Sequence, residues 1–279
     1  MKTTPIVLSL TSIPPRFKYL PQFFKRLEKQ TLRPVSVEIN LAKSYRRFPG
    51  ELPALPNLPE WVKVLWQDTD FGPATKILPT IERYKNSKQD ILVCDDDRIY
   101  GRQWIQGFAY QRHLHPEGIL CACGFNIDEY YDLRRVAEHK KEPVGRYFRT
   151  PELNKVHLQQ LALEKITFNL RNGEWRQLSY PGYIDIFEGF RGYLIKPHYL
   201  PEEAWNIVDD FWMVDDVWLS GMAALNSHYA WLHDMPMNRD YDRRIDRLHG
   251  LYTIEEEGKQ RDELNKRCIA YFQEKYGIW

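Results

Sequence analysis

Three successive aspartates, Asp95, Asp96 and Asp97, close the apolar run ILVC in the segment ILVCDDDRIY. Adjacent carboxylates repel one another, so the cluster calls for a compensating charge. A hard divalent cation, held by one or two carboxylates together with phosphate oxygens, supplies it. Along an extended chain Asp95 and Asp97 should point one way and Asp96 the other. The plain alternative is a solvated loop just beyond a strand. A second acidic pair, Asp215 and Asp216, opens the apolar helical segment DDVWLSGMAALN. Acids at that position cap a helix and are favoured by its dipole. The chemical reading is a general base that takes the proton from an attacking hydroxyl.

Two further segments could hold a ligand. In DIFEGFRGYLIKP, Gly189 and Gly192 allow a close backbone approach, and Phe187, Phe190 and Tyr193 offer ring faces. In DTDFGPATKILP, Gly72 and Pro73 make a turn before a helix, with Thr75 and Lys76 in its first turn. A lysine at a helix amino terminus suits a phosphate.

The elements that must position these residues follow from apolar periodicity. Strands are predicted over 6–10, 35–41, 62–67, 91–94 and 119–123, with helices over 19–29, 74–84 and 103–114. This alternation describes an α/β fold, in which ligands gather at the carboxyl ends of the strands. Residues 126–181 read as a polar, aromatic-dotted excursion. Order then returns with strands over 183–187, 192–196 and 228–232, a helix from Asp215, and a terminal helix over 258–275.

Composition narrows the function classes. The chain has 279 residues, 43% of them hydrophobic, enough for one large core, and a single domain over 1–279 is expected. A net charge of +1 gives no reason to expect a nucleic-acid partner. No stretch approaches the roughly 20 apolar residues of a membrane span. Cys94, Cys121, Cys123 and Cys268 form no CxxC motif and sit mostly in apolar runs, as small core residues would. The amino-terminal apolar run reads as a buried strand rather than a signal peptide. A reducing cytoplasm is expected, with attachment at the inner membrane face left to a surface patch.

Taken in order, SLTSIPPRF, QTLRPVSVEINL, DFGPATKILP, ILVCDDDRIY, FEGFRGYLI and DDVWLSG span residues 8–221. This ordered set resembles bacterial and viral glycosyltransferases of the glycosyltransferase-A fold. The resemblance implies a single Rossmann-like domain with a mixed central sheet flanked by helices. Residues 1–125 would be its nucleotide-sugar half, and 126–279 its acceptor-binding and catalytic half. It implies a DxD motif in which Asp95 contacts ribose or metal and Asp97 ligates Mn²⁺ or Mg²⁺ through the donor diphosphate, with Asp96 beside them. It further implies Asp216 as the base of an inverting transfer, supported by Asp215, the choice between the two neighbours staying open. Thr11, Ser12 and Arg16 would lie near the nucleotide, and Asp68 or Asp70 near its base or ribose. A downstream histidine completes the metal site, with His249 the first candidate and His233 the second.

The partners implied are a nucleotide-sugar donor, a UDP-sugar first, and a glycan, glycoconjugate or lipid-linked acceptor. Acceptor contacts are expected from Trp175, Tyr180, Tyr183 and Phe190. The basic run Arg134, Arg135, Lys140, Lys141, Arg146 and Arg149 could meet an acidic sugar or a membrane phosphate, or be a solvated face. One of Arg239, Arg243, Arg244 and Arg247 is expected to hold the diphosphate in a closing loop. The rival readings are a metal-dependent phosphohydrolase or nucleotidyl transferase, and a non-catalytic carbohydrate-binding module.

Overall fold

A computed structural model describes residues 3–137, 141–147, 179–233, 255–256 and 259–279. The first strand, β1 (Thr3–Thr11), leads through a 3₁₀ turn into α1 (Leu20–Leu27). Leu20, Phe23, Phe24 and Leu27 are buried there at helical spacing, and each such side chain contributes about 1.5–3 kcal/mol by leaving water. Next come β2 (Arg33–Ala42), β3 (Val62–Gln67), α2 (Leu78–Tyr84), β4 (Asp90–Val93) and α3 (Trp104–Leu114). Short pieces follow: β5 (Ile119–Cys121), β6 (Gly124–Phe125), α4 (Ile127–Tyr130), β7 (Arg146–Tyr147), β8 (Ser179–Tyr180), β9 (Gly182–Ile184), β10 (Ile186–Phe187) and β11 (Tyr193–Ile195). The described chain ends with α5 (Asp215–Leu225), β12 (Ala230–Leu232), β13 (Glu255–Glu256), β14 (Lys259–Gln260) and α6 (Arg261–Tyr276).

Eight strands form one mixed sheet in the order β3-β2-β1-β4-β11-β5-β12-β9. The β3-β2-β1-β4 half is parallel, β11 runs antiparallel to both β4 and β5, β12 is parallel to β5, and β9 is antiparallel to β12. Helices cover both faces, so the α/β class with a mixed central sheet holds. Alternation along β4 shows the two layers. Ile91 and Val93 join the core under α2, α5 and α6, while Leu92 and Cys94 join the core under α1 and α3. All four cysteines are buried and none is in a disulfide. No helix among the described residues is long and apolar enough to cross a membrane.

Two predicted elements come out divided, each for a local reason, and a third comes out shortened. The helix over 74–84 is a 3₁₀ turn at Gly72–Lys76 followed by α2, because Pro79 sits at the start of α2, where its missing N–H is tolerated. The strand over 183–187 breaks at Asp185, whose carboxylate turns away to accept two hydrogen bonds from Arg135, at 2.6 and 2.9 Å. The strand over 119–123 stops at Cys121 as β5, and past a bend the chain resumes as β6, which lies beyond the predicted strand and leaves the main sheet to pair with β10. Most of the 126–181 excursion, and residues 234–254 with Arg239, Arg243, Arg244, Arg247 and His249, lie outside the described residues.

Candidate active site

Parallel pairing brings the sequence-predicted residues to one edge. Ser9 is in register with Val93, Thr11 with Asn40, and Ala42 with Gln67, so the chain leaves β1, β4, β2 and β3 at the same end of the sheet. Ser12 and Arg16, Asp95 to Asp97, and Asp68 and Asp70 therefore start from neighbouring strand ends. Antiparallel pairing of Tyr193 with Val93 brings the Gly189–Gly192 turn to that edge as well. The turn needs glycine at its end. Gly192 has φ +93°, and a Cβ there would lie 2.6 Å from the Trp104 ring.

The aspartates do not alternate as a straight strand would place them. Asp95 continues the face of Ile91 and Val93 and meets Lys76 Nζ at 3.0 Å. Asp96 continues the opposite face, where it accepts hydrogen bonds from Ser12 Oγ at 2.5 Å and Arg16 Nη1 at 3.0 Å. At Asp96–Asp97 the chain enters a turn. That turn swings Asp97 back to the same guanidinium, with Oδ2 2.9 Å from Arg16 Nη1. The expected division of Asp95 and Asp97 from Asp96 is thus corrected to Asp95 on one side and Asp96 with Asp97 on the other.

Ionisation follows from these partners. Burial alone would raise Asp95, but Lys76, and then Arg98, hold it below the usual carboxylate range. Burial pushes Asp97 up to about 6 against the pull of Arg98 and Arg16. Its Oδ1 is buried without a hydrogen bond, with Arg98 Nε 3.3 Å away.

The second acidic pair is brought to the first by Lys76. Its buried ammonium lies 3.0 Å from Asp215 Oδ2 and 4.0 Å from Asp216 Oδ1, in addition to Asp95. Its place in the sequence suits either a phosphate at a helix amino terminus or an ordinary surface lysine. The structure instead buries this cation at the end of the 3₁₀ turn and commits it to three carboxylates. Gly189 is small for the same reason: a Cβ there would lie 2.5 Å from Lys76 Nζ. The close approach predicted at this glycine is made to a side chain of the protein, and its N–H donates to Asp216 Oδ1 at 3.0 Å.

The two acids of this pair differ in access. Asp215 is 1% exposed, whereas the Asp216 side chain keeps 15% of its surface. Burial, and then the neighbouring Asp215, raise Asp216 to about 6. Arg261, at the start of α6, lies 3.6 Å from Asp216 Oδ2 and 3.9 Å from Asp215 Oδ1.

The remaining candidates have partners of their own. Phe187 and Tyr193 are fully buried and cannot present ring faces to a ligand, while Phe190 is partly exposed and carries Arg98 over its ring at 4.9 Å. Asp70 caps its own turn, accepting from the Arg46 and Gly72 N–H groups at 2.8 and 2.9 Å. Asp68 is exposed and pairs with Lys43 at 2.7 Å. Thr11 Oγ1 donates to the Asn40 carbonyl at 2.6 Å. His233 is buried and packs edge-on against Phe108, with ring centroids 4.9 Å apart. Of the acceptor candidates, Tyr180 is exposed, Tyr183 is half-buried under Lys141, and Trp175 lies outside the described residues. Of the basic run, Arg135 is held by Asp185 and Arg146 faces Glu129 at 3.5 Å, while Lys140 and Arg149 are outside the described residues.

Two participants escaped the sequence reading. Tyr100 Oη accepts from the Asp95 N–H at 3.0 Å and donates to the Phe190 carbonyl at 3.2 Å, tying the two loops together. Its proximity to the DDD run was the available signal. Arg261 had none, since its partners lie on α5, far back in the chain.

Among the described residues, no three His, Cys, Asp or Glu side chains gather as a metal cage. The carboxylate oxygens of the DDD cluster with capacity left are Asp95 Oδ2, on a side chain 28% exposed, and Asp97 Oδ1. Two carboxylates completed by phosphate oxygens are a normal arrangement for Mg²⁺ or Mn²⁺, so the donor set fits a metal that arrives with a diphosphate.

No protein-family model matches the chain, and no curated protein matches it. Among solved structures it is similar to S. aureus TarS 1–349, at 11% identity and TM-score 0.39, over 86% of this chain and 59% of that one. The same TarS fragment in complex with UDP aligns at 13% identity and TM-score 0.39, over 98% and 72% of the two chains. Mannosyltransferase PcManGT from Pyrobaculum calidifontis, in complex with GDP-Man and Mn²⁺, aligns at 9% identity and TM-score 0.28, over 47% and 37%. The chain thus spans less than two thirds of the first and last of these proteins. TM-scores below 0.5 do not establish a shared architecture, so the fold described above rests on the sheet itself.

Proposed function

We propose that the chain is a metal-dependent glycosyltransferase of the glycosyltransferase-A fold. It would move a sugar from a nucleotide-sugar donor, a UDP-sugar, to a glycan, glycoconjugate or lipid-linked acceptor with inversion. The observation that supports this is the meeting of two acidic motifs around one ammonium at the carboxyl ends of the parallel strands, with Asp95 and Asp215 each 3.0 Å from Lys76 Nζ. One motif has oxygens left for a cation and the other has a partly exposed acid raised to about 6, the parts that displacement at an anomeric carbon needs.

In this reading Asp95 and Asp97 would hold a Mn²⁺ or Mg²⁺ that arrives with the donor diphosphate. The metal, when bound, offsets charge on the departing phosphate. Arg16 holds Asp96 and Asp97 in place and Ser12 holds Asp96, and Thr11, Asp68 and Asp70 border the nucleoside. Asp216 takes the proton from the acceptor hydroxyl, whose oxygen attacks the anomeric carbon while the bond to the phosphate oxygen breaks. The Gly189 N–H fixes Oδ1 of this base, which leaves Oδ2 for the proton. A two-metal phosphohydrolase fits less well, because Arg16 and Lys76 already occupy most of the acid oxygens that two metals would require.

The test is calorimetric titration of UDP, GDP and CMP, each with and without Mn²⁺, repeated on Asp97→Asn. Metal-dependent binding of UDP that is lost in the variant is expected. Absence of binding by every nucleotide would overturn the transferase reading.

A further inference from the structure

Lys76 is buried, 4% exposed, yet three carboxylates from two motifs converge on it. Both ends of the residue are fixed. Its carbonyl accepts a hydrogen bond from Ser9 Oγ at 2.6 Å, and Ser9 belongs to a buried polar network on the sheet. In that network Asn40 Nδ2 donates to Thr80 at 2.9 Å, and Arg83 ties Asn40 Oδ1 at 2.9 Å to Glu38 at 2.7 Å. Its ammonium sits against the Cα of Gly189, where no side chain fits. The phenol of Tyr193, fully buried and without a hydrogen bond among the described residues, lies within electrostatic reach of the same ammonium.

We infer that Lys76 is a positioning residue: one internal cation, anchored through β1 and β2, that holds Asp95 and the Asp215–Asp216 pair in a fixed relation to each other. It lies 19 residues before Asp95 in the chain, and no backbone pairing joins β4 to α5, so this ammonium is a direct side-chain link between the acid on the donor side and the acids on the base side. Asp215 then serves as a buried anchor for the lysine rather than as a proton acceptor, which leaves Asp216 to act on the substrate. The binding arm of this inference rests on the function proposed above, whereas its charge arm does not.

The experiment measures thermal midpoints for Lys76→Met, Asp95→Asn, Asp215→Asn and the two doubles that combine Lys76→Met with each Asn change, with Lys85→Met as an exposed-pair control. It also measures UDP binding in the presence of Mn²⁺ at a temperature where every variant is folded. Lys76→Met is expected to lower the midpoint by on the order of 10 °C, because it strands buried carboxylates. Each Asn change should recover about half of that loss when combined with it, and Lys85→Met should change nothing. UDP binding should weaken by about tenfold or more in Lys76→Met and return in part in Lys76→Arg. Should Lys76→Met not fold, each double is compared with its own Asn single, and the inference predicts a much smaller step there. Midpoint losses that simply add in either double would overturn the shared-cation assignment. Recovery in the midpoints with unchanged UDP binding in Lys76→Met would also overturn it, leaving a packing ion pair. If the wild type binds no nucleotide, the proposed function falls, and the two double variants still decide whether Lys76 joins the motifs.

Discussion

Two buried cations lie side by side at the strand ends and do different work. Arg16 serves Asp96 and Asp97, adjacent residues on one loop, and Ser12 completes the set with a direct hydrogen bond. Lys76 serves Asp95 on that loop and Asp215 and Asp216 on a distant helix, at distances from 3.0 to 4.0 Å. The Arg16 group is nearly closed to solvent, while the Lys76 group retains a wet margin at Asp95, Asp216 and Arg261. A planar guanidinium suits a fixed double contact, and a compact ammonium suits several carboxylates converging from different directions. The difference teaches that the DDD run is divided: Asp96 and one oxygen of Asp97 are tied to the Arg16 scaffold that holds the loop, whereas Asp95 shares its cation with the second acidic motif.

The sharpest way to break this contrast is Arg16→Leu. It leaves two buried carboxylates without their guanidinium, and a loss of about 3–5 kcal/mol of stability is expected in denaturant unfolding. A loss under about 1 kcal/mol would mean that the Arg16 group is not a scaffold. Next in size, Asp216→Asn should fold normally and bind UDP with Mn²⁺ as the wild type does, yet lower the transfer rate by about 10²–10³. Equal loss in Asp215→Asn, with its fold intact, would reverse the roles given to the two neighbours.

The pH dependence sharpens the same contrast at lower amplitude. Asp216 is raised from its ordinary value of 3.8 to about 6 in the folded chain. The transfer rate should therefore rise about tenfold from pH 5 to pH 7, as the base loses its proton. Because the folded state holds that proton more tightly than the unfolded chain, this residue's contribution to stability should fall as pH rises from about 4 to about 6. Paired rate and unfolding profiles check both signs, and Asp216→Asn should flatten this component in each. The smallest effect is expected at the exposed Lys43–Asp68 pair, where Asp68→Asn should change stability by less than about 0.5 kcal/mol. A larger change would show that ion pairing at the rim matters as much as in the buried groups.

Much of the frame was legible in the sequence, because it depends on local patterns. Short β-rich apolar runs in β1, β2 and β4 and the 62–67 strand announce themselves, and the DDD run at the end of β4 marks the edge where the candidate site lies through strand direction alone. The two acidic motifs were visible for the same reason, as acids placed at element ends. What was not legible depends on contacts distant in the chain. Nothing near Lys76 reveals that its ammonium turns inward to Asp215, and nothing near Arg261 reveals its approach to Asp216. The glycine of FEGF reads as room for a ligand until Lys76 is found against it. Alternation failed at Asp97 because a turn at Asp96–Asp97 outweighs strand geometry once Arg16 offers both carboxylates one partner.

The central claim, that the divided acids form one site around a nucleotide diphosphate, is tested most directly by a crystal structure of the chain with UDP and Mn²⁺. The diphosphate should lie at the strand ends with the metal on Asp95 and Asp97, Arg16 still on Asp96, and Lys76 still on Asp215. A nucleotide bound away from Asp95 and Asp97, or a metal held by Asp215 in place of Lys76, would contradict it.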